Sequence, residues 1–205
     1  MAYLDSHGKT LEDYPRPSVA VDTAVLTVAD GRLCVVLVLS DGEARLPGTF
    51  LHNGETLRDA ALRALRDKAD ISGLSPRQLH VFDAPARDDR GWVLSVAHAD
   101  AVTASQLAPA TLTPVDALPQ LKYDHEHIIE LAVHRLRADY AERPDPAKLL
   151  GEPFTVRALL ALHEAVAGER LMRDTFRRTM LPHLVPTGDR EEGTVGKPAG
   201  LYRRG

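Results

Sequence analysis

Arg173 and Arg177 stand four residues apart in the stretch Arg173-Asp174-Thr175-Phe176-Arg177-Arg178-Thr179-Met180. On a helix that spacing puts both guanidinium groups on one face, with Thr175 and Arg178 beside them, while Phe176 and Met180 share another face. One apolar stripe to dock and one cationic stripe for phosphates and guanine edges is what a DNA-reading helix needs. In isolation the same arginines would suit an ordinary solvated face. A second constellation, His127, Glu130 and His134, falls on one helical face at spacings that can hold Zn²⁺. No fourth ligand is evident, and Glu126 and Arg137 beside it make a mixed surface the expected reading.

A third set lies in Leu46-Pro47-Gly48-Thr49-Phe50-Leu51-His52-Asn53-Gly54-Glu55-Thr56-Leu57 and the helix that follows. The segment resembles the Nudix box. The motif's opening glycine is Thr49 here, its first glutamate is Glu55, and its arginine is Arg63. The glutamate after that arginine reads Ala64, Leu65 fits the aliphatic position, and the pair of glutamates reads Asp67 and Lys68. The late glycine reads Asp70 and the last aliphatic is Ile71. In the family's enzymes these carboxylates hold Mg²⁺ on a pyrophosphate and orient water, and a hard cation needs several oxygen ligands. A methyl and an ammonium in their place oppose cation binding. The resemblance therefore implies recognition of a nucleoside diphosphate without efficient hydrolysis, and neither a metal nor another cofactor is expected. Lys68 either replaces the metal as a phosphate contact or belongs to a solvated helix face; for Asp67 the solvated face is the expectation.

Asp88-Asp89-Arg90-Gly91-Trp92-Val93-Leu94-Ser95-Val96-Ala97 is similar to a stretch of ADP-ribose-type Nudix proteins. Pro114 to Pro119, then Tyr123-Asp124-His125 and a helix, resembles the Nudix-related transcriptional regulators of the NrtR type. That resemblance runs from about residue 18 to the end and implies a degenerate Nudix domain, a C-terminal winged helix and a homodimer on operator DNA. Ligand contacts are expected at Arg45, His52, Glu55, Lys68 and Arg90. DNA contacts are expected at Arg173, Thr175, Arg177, Arg178, Lys197 and Arg203, with Gly193 to Arg204 as the wing and the acidic patch at Asp189 to Glu192 turned away. The effector is expected to be a nucleotide or phosphorylated sugar resembling ADP-ribose. Two rivals stand: a divergent Nudix hydrolase acting on a nucleoside diphosphate linked to a sugar, with metal ligands among Glu55, Asp67, Asp88 and Asp89, and an interaction module whose tail binds protein.

The elements that must position these residues follow from periodicity. Val19, Val21, Thr23 and Val25 alternate as in a strand, Asp30-Gly31 turns the chain, and Leu33 to Leu39 forms a hairpin partner. Leu57, Ala61, Leu65 and Ala69 stripe a helix that Thr56 and Asp59 can cap. Strands near Leu79–Phe82 and Trp92–Ala97, a proline-spaced connector from Pro109 to Pro119 and a helix over Asp124–Tyr140 come next. Thr155 caps a helix to Val166, Gly168 ends it, and Met172 to about Leu181 is the next helix. The predicted class is α+β: a Nudix-type α/β/α sandwich on a mixed sheet, followed by a small winged helix-turn-helix. Residues 1–17 form an arm, 18–150 the Nudix-like domain and 151–205 the DNA-binding domain.

Composition agrees. The 205 residues are 44% hydrophobic with a net charge of −4. Residues 151–205 carry nine Lys/Arg against seven Asp/Glu, so the excess of acid lies in the first 150 residues. Cys34 is the one cysteine, set in an apolar run, so it reads as a buried strand residue. No apolar run approaches the roughly 20 residues of a bilayer span, the N-terminus shows no apolar leader, and the cytoplasm is the expected compartment.

Overall fold

The computed structural model describes residues 3–108, 110–191 and 198–205. Its centre is β1 (Ser18–Ala29), whose alternation serves two layers. Val21 and Val25 point to one face of the sheet, where they meet Ala60, Ala61 and Leu65 of α1 (Leu57–Ala69). Ala24 and Leu26 point to the other, against Ile128, Ile129, Ala132 and Leu136 of α2 (His125–Glu142). Period two on the strand and period 3.6 on each helix thus interlock as an α/β/α sandwich.

The sheet is mixed. β2 (Arg32–Val36) returns antiparallel on β1 through Asp30 and Gly31, both with positive φ, the conformation a two-residue hairpin turn requires. The second strand ends sooner than its sequence pattern suggests. Leu37 leaves the ladder to bond Thr111, and a small hairpin of β3 (Val38–Ser40) and β4 (Glu43–Arg45) follows. β5 (Gly48–Phe50) pairs antiparallel with the start of β1. β6 (Arg77–Phe82) pairs with β7 (Val93–Ala101), which lies parallel to β1 along nine residues. The connector contains one short strand, β8 (Leu112–Pro114), on the free edge of β2. Cys34 lies buried in β2.

The C-terminal unit holds β9 (Phe154–Thr155), α3 (Val156–Ala167), α4 (Arg173–Met180), β10 (Leu184–Arg190) and β11 (Gly200–Arg204), with β11 central in a three-stranded sheet. Thr155 Oγ1 accepts the Ala158 N–H at 3.1 Å, and Gly168 ends α3 at φ +79°. Both caps stand where the sequence puts them. This unit has its own apolar cluster of Phe154, Leu159, Phe176, Met180 and Leu184. The other face of α3 sends Leu162 and Val166 into the core under α2. No described helix is long and apolar enough to cross a membrane.

Candidate functional site

The register of β5 on β1 places Gly48 opposite Asp22. Asp22 is 7% exposed and accepts from Ser95 Oγ at 2.6 Å. His125, the first residue of α2, accepts the Leu46 N–H on Nδ1 at 3.0 Å, which leaves its proton on Nε2. That nitrogen lies 3.3 Å from Asp22 Oδ1 and donates to it. Burial alone would raise the Asp22 pKa; the bonds from His125 and Ser95 and the nearby Arg87 charge outweigh it and hold the carboxyl below its usual range. Arg87 forms a two-point bond to Asp124, directly before α2.

Asp22, Leu46, Arg87 and His125 line a cavity of about 140 Å³ together with Arg45, Gly48, Thr49, Phe50, Lys68, Asp88, Arg90 and Tyr123. Arg90 grips the buried Asp88 carboxylate at 2.9 and 2.6 Å, and its guanidinium sits 4.9 Å from the ring centres of both Phe50 and Tyr123. Lys68 reaches back from the last turn of α1 and donates to the Gly48 carbonyl oxygen. Burial, followed by the charge of Arg45 and, more weakly, of Arg63 and Arg90, pushes its pKa down against the pull of Asp22. Arg45 bonds the Ser40 carbonyl at 2.7 Å, and its buried Nε has no protein partner. The cavity therefore has excess positive charge and donors left for an anion.

The expected ligand set divides. Arg45, Lys68 and Arg90 converge on the cavity, whereas His52 and Glu55 do not line it. His52 is exposed in the loop before α1. Glu55 is held by Arg63 at 2.7 and 2.9 Å, and Arg63 also bonds Thr49 Oγ1 and the Phe50 carbonyl. This fork staples the loop to the helix. Sequence reasoning left Asp22, Arg87, Asp88 and His125 out of the ligand set; Asp88 stood only as a candidate metal ligand of the rival hydrolase, and His125 only within a quoted motif.

The Arg63 hydrogen bonds, with the His52 N–H, hold the Glu55 carboxyl down to about 2 against an ordinary 4.5. A depressed carboxyl contributes stability that is complete above about pH 4.5 and lost as pH falls toward 2. Glu55→Gln is therefore expected to flatten the acid limb of unfolding. Urea midpoints near pH 5 and near pH 3 check it; a variant with the wild-type pH dependence contradicts it.

A divalent metal does not fit here. Ala64 is a buried methyl, 1% exposed. Asp67 points outward beside Arg66 at 3.0 Å. The Lys68 ammonium already holds the Gly48 carbonyl oxygen. Asp89, another candidate ligand, is exposed near Lys122. Among the described residues no three His, Cys, Asp or Glu side chains group as a metal site, the His127, Glu130 and His134 stripe included.

On α4, Phe176 and Met180 are buried while Arg173, Thr175, Arg177 and Arg178 are exposed. None of the three arginines has an acidic partner within 4 Å among the described residues. Glu164 accepts the Leu171 N–H at 3.1 Å and pairs with Arg170, which sets the turn into α4. Arg203 is exposed on β11. Lys197 and Glu192 lie outside the described residues. Arg204, the last residue of the expected wing, turns inward onto Asp145 and Glu152.

Residues 146–204 match the family model of the NrtR DNA-binding winged helix domain. The chain is also 27% identical, over 98% of its length and 87% of the relative's, to an ADPR responsive transcriptional repressor NtrR of Acinetobacter baylyi. Along nearly its whole length the chain is similar to Nudix-related regulators of the NrtR type. A crystal structure of Shewanella oneidensis NrtR complexed with a 27mer DNA superposes at a TM-score of 0.73 and 29% identity, over 91% of this chain and 93% of that one. The NUDIX domain of that protein complexed with ADP ribose matches at a TM-score of 0.54 and 27% identity, over 63% of this chain and 95% of that one.

Proposed function

We propose that this chain is a transcription regulator that binds operator DNA as a homodimer and responds to ADP-ribose or a closely similar nucleotide sugar without cleaving it. Residues 18–150 serve as the effector-binding unit, 151–205 as the DNA-binding unit and 1–17 as an arm. The observation that carries the reading is the Lys68 ammonium, fixed on the Gly48 carbonyl where the Nudix motif places an acid. A tethered cation neutralises a pyrophosphate but cannot activate water as a metal does. The small cavity suits phosphates only, since whole ligands of this class need roughly 300–1,000 Å³. A second cavity of about 640 Å³, lined by Leu37, Leu39, Ala69, Thr111 and Pro119, shares Lys68 with the first and has the size for the remainder. Arg173, Thr175, Arg177, Arg178, Lys197 and Arg203 are the proposed DNA contacts.

The full-length chain is expected to bind ADP-ribose by calorimetry in EDTA, and to release no AMP when Mg²⁺ is supplied. Magnesium-dependent AMP release abolished by Glu55→Gln would instead establish the hydrolase reading. A salt-sensitive complex with DNA from upstream of its own gene is expected at low micromolar protein; its absence would refute DNA binding.

A further inference from the structure

A buried carboxylate lies at the junction of the two units. Asp145 is fully buried, in a left-handed backbone conformation at φ +46°. Its Oδ1 accepts from Tyr140 Oη at 2.6 Å and from the Leu149 N–H at 2.8 Å. Its Oδ2 accepts from the Leu150 N–H at 2.9 Å and from Arg204 of β11. Its own N–H points to His163 Nε2 at 3.4 Å. Burial pushes the His163 pKa down to about 4, so near neutrality the ring is uncharged and that nitrogen accepts. The ring sits between Tyr140 and Phe176, tilted against the first and edge-on to the second, with both centroid separations 4.9 Å. Tyr140 belongs to α2, His163 to α3, and Phe176 to α4, the helix carrying the exposed arginines. One carboxylate therefore fixes the end of α2 to both proposed DNA-contacting elements: to α4 through Tyr140 and the edge-packed rings, and to the wing through Arg204.

The other end of α2 lies in the anion cavity. His125 and the preceding Asp124 bond Asp22, the Leu46 N–H and Arg87. Eighteen helical residues at ~1.5 Å each make a rod of about 27 Å. Its flank is buried through Ile128, Ile129, Ala132, Val133 and Leu136, and Arg137 bonds the Val166 carbonyl of α3 at 3.0 Å. A packed rod tied by hydrogen bonds at both ends transmits a shift rather than absorbing it.

Resting on the function proposed above, we propose that Asp145 is the positioning residue through which effector occupancy at the His125 end of α2 reaches α4 and the wing. Asp145 touches neither ligand nor DNA; it couples them. The quantity to measure is the ratio of DNA Kd with and without saturating ADP-ribose, for full-length wild type, Asp145→Asn and Tyr140→Phe. Anisotropy of a labelled duplex from upstream of the gene reads it, and calorimetry gives the ADP-ribose Kd without DNA. Wild type is expected to show a ratio of about tenfold, within the usual range of coupling. Both variants are expected to bring it within about twofold of unity while leaving the ADP-ribose Kd within about threefold of wild type. Tyr140→Phe deletes one hydroxyl and carries the test even if Asp145→Asn fails to fold. Altered DNA affinity with a wild-type ratio would assign the junction a purely structural role and overturn the proposal alone. A wild-type protein that binds both molecules without coupling overturns the proposal and the effector reading together.

Discussion

Arg177→Glu combined with Arg178→Glu is expected to weaken DNA binding by at least about 100-fold, since each lost arginine contact costs about 1–3 kcal/mol and ~1.4 kcal/mol is tenfold. Repulsion of phosphates by the new carboxylates adds to that. The slope of log affinity against log salt should fall by about two for each protomer. The fold should tolerate the change. Both side chains are exposed and without acidic partners among the described residues, and the buried face of α4 is Phe176 and Met180. Negative charge in the last turn of a helix opposes its dipole by about 1 kcal/mol or less per residue, so the thermal midpoint should move only a few degrees. ADP-ribose binding should be unaffected. A double variant that still binds duplex DNA like wild type would place the interface off α4 and revive the reading of this unit as a protein-binding module.

Gly48→Ala should be the most damaging glycine-to-alanine change among the described residues. An ideal Cβ there would stand 2.0 Å from Asp22 Oδ1 and 2.8 Å from the Val21 carbonyl oxygen. The first neighbour cannot step aside cheaply. It is held by Ser95 and His125, and displacing it orphans two buried donors. The second is backbone inside the β1 ladder. Overpacking and lost hydrogen bonds together cost about 3 kcal/mol, which for a chain of this length lowers the melting temperature by roughly 6–12 °C. The carbonyl that anchors Lys68 moves with the strand, so ADP-ribose affinity should fall as well. Gly54→Ala is the contrast. Gly54 has φ +78° and open space around it, so its cost is backbone strain of about 1–2 kcal/mol with no effect on the cavity. Calorimetric melting and titration of both variants check the pair; a Gly48→Ala protein as stable as Gly54→Ala would contradict the steric argument.

What sequence made legible was local. The stripe of Leu57, Ala61 and Leu65, the reciprocal Thr56–Asp59 cap, the Thr155 cap and the Gly168 stop all depend on neighbours within a turn or two, and all are present in the fold. The loss of acids at Ala64 and Lys68 was likewise plain from spacing alone. Asp22 was not legible as a site residue. It sits in an alternating strand whose period explains it as well as any chemistry, and its meaning comes from Gly48, Ser95 and His125, which are 26, 73 and 103 positions away in the chain. The parallel pairing of β1 with β7 has no local signature, yet it is what brings Ser95 to Asp22. Glu55 shows the converse. Its motif position suggested a ligand contact, and in the fold its carboxylate is held by Arg63, eight residues on. Asp145 sits in a proline-rich break that reads as a linker; only the return of β11 reveals it as the centre of a junction.

A cation that is part of the polypeptide cannot be exchanged, chelated or diluted. Lys68 travels with α1, so under the function proposed above occupancy of the neighbouring cavities is expected to track the concentration of the nucleotide alone and not its product with free magnesium. A receptor that works as proposed would leave its signal intact after reading it, and the same molecule could be sensed again.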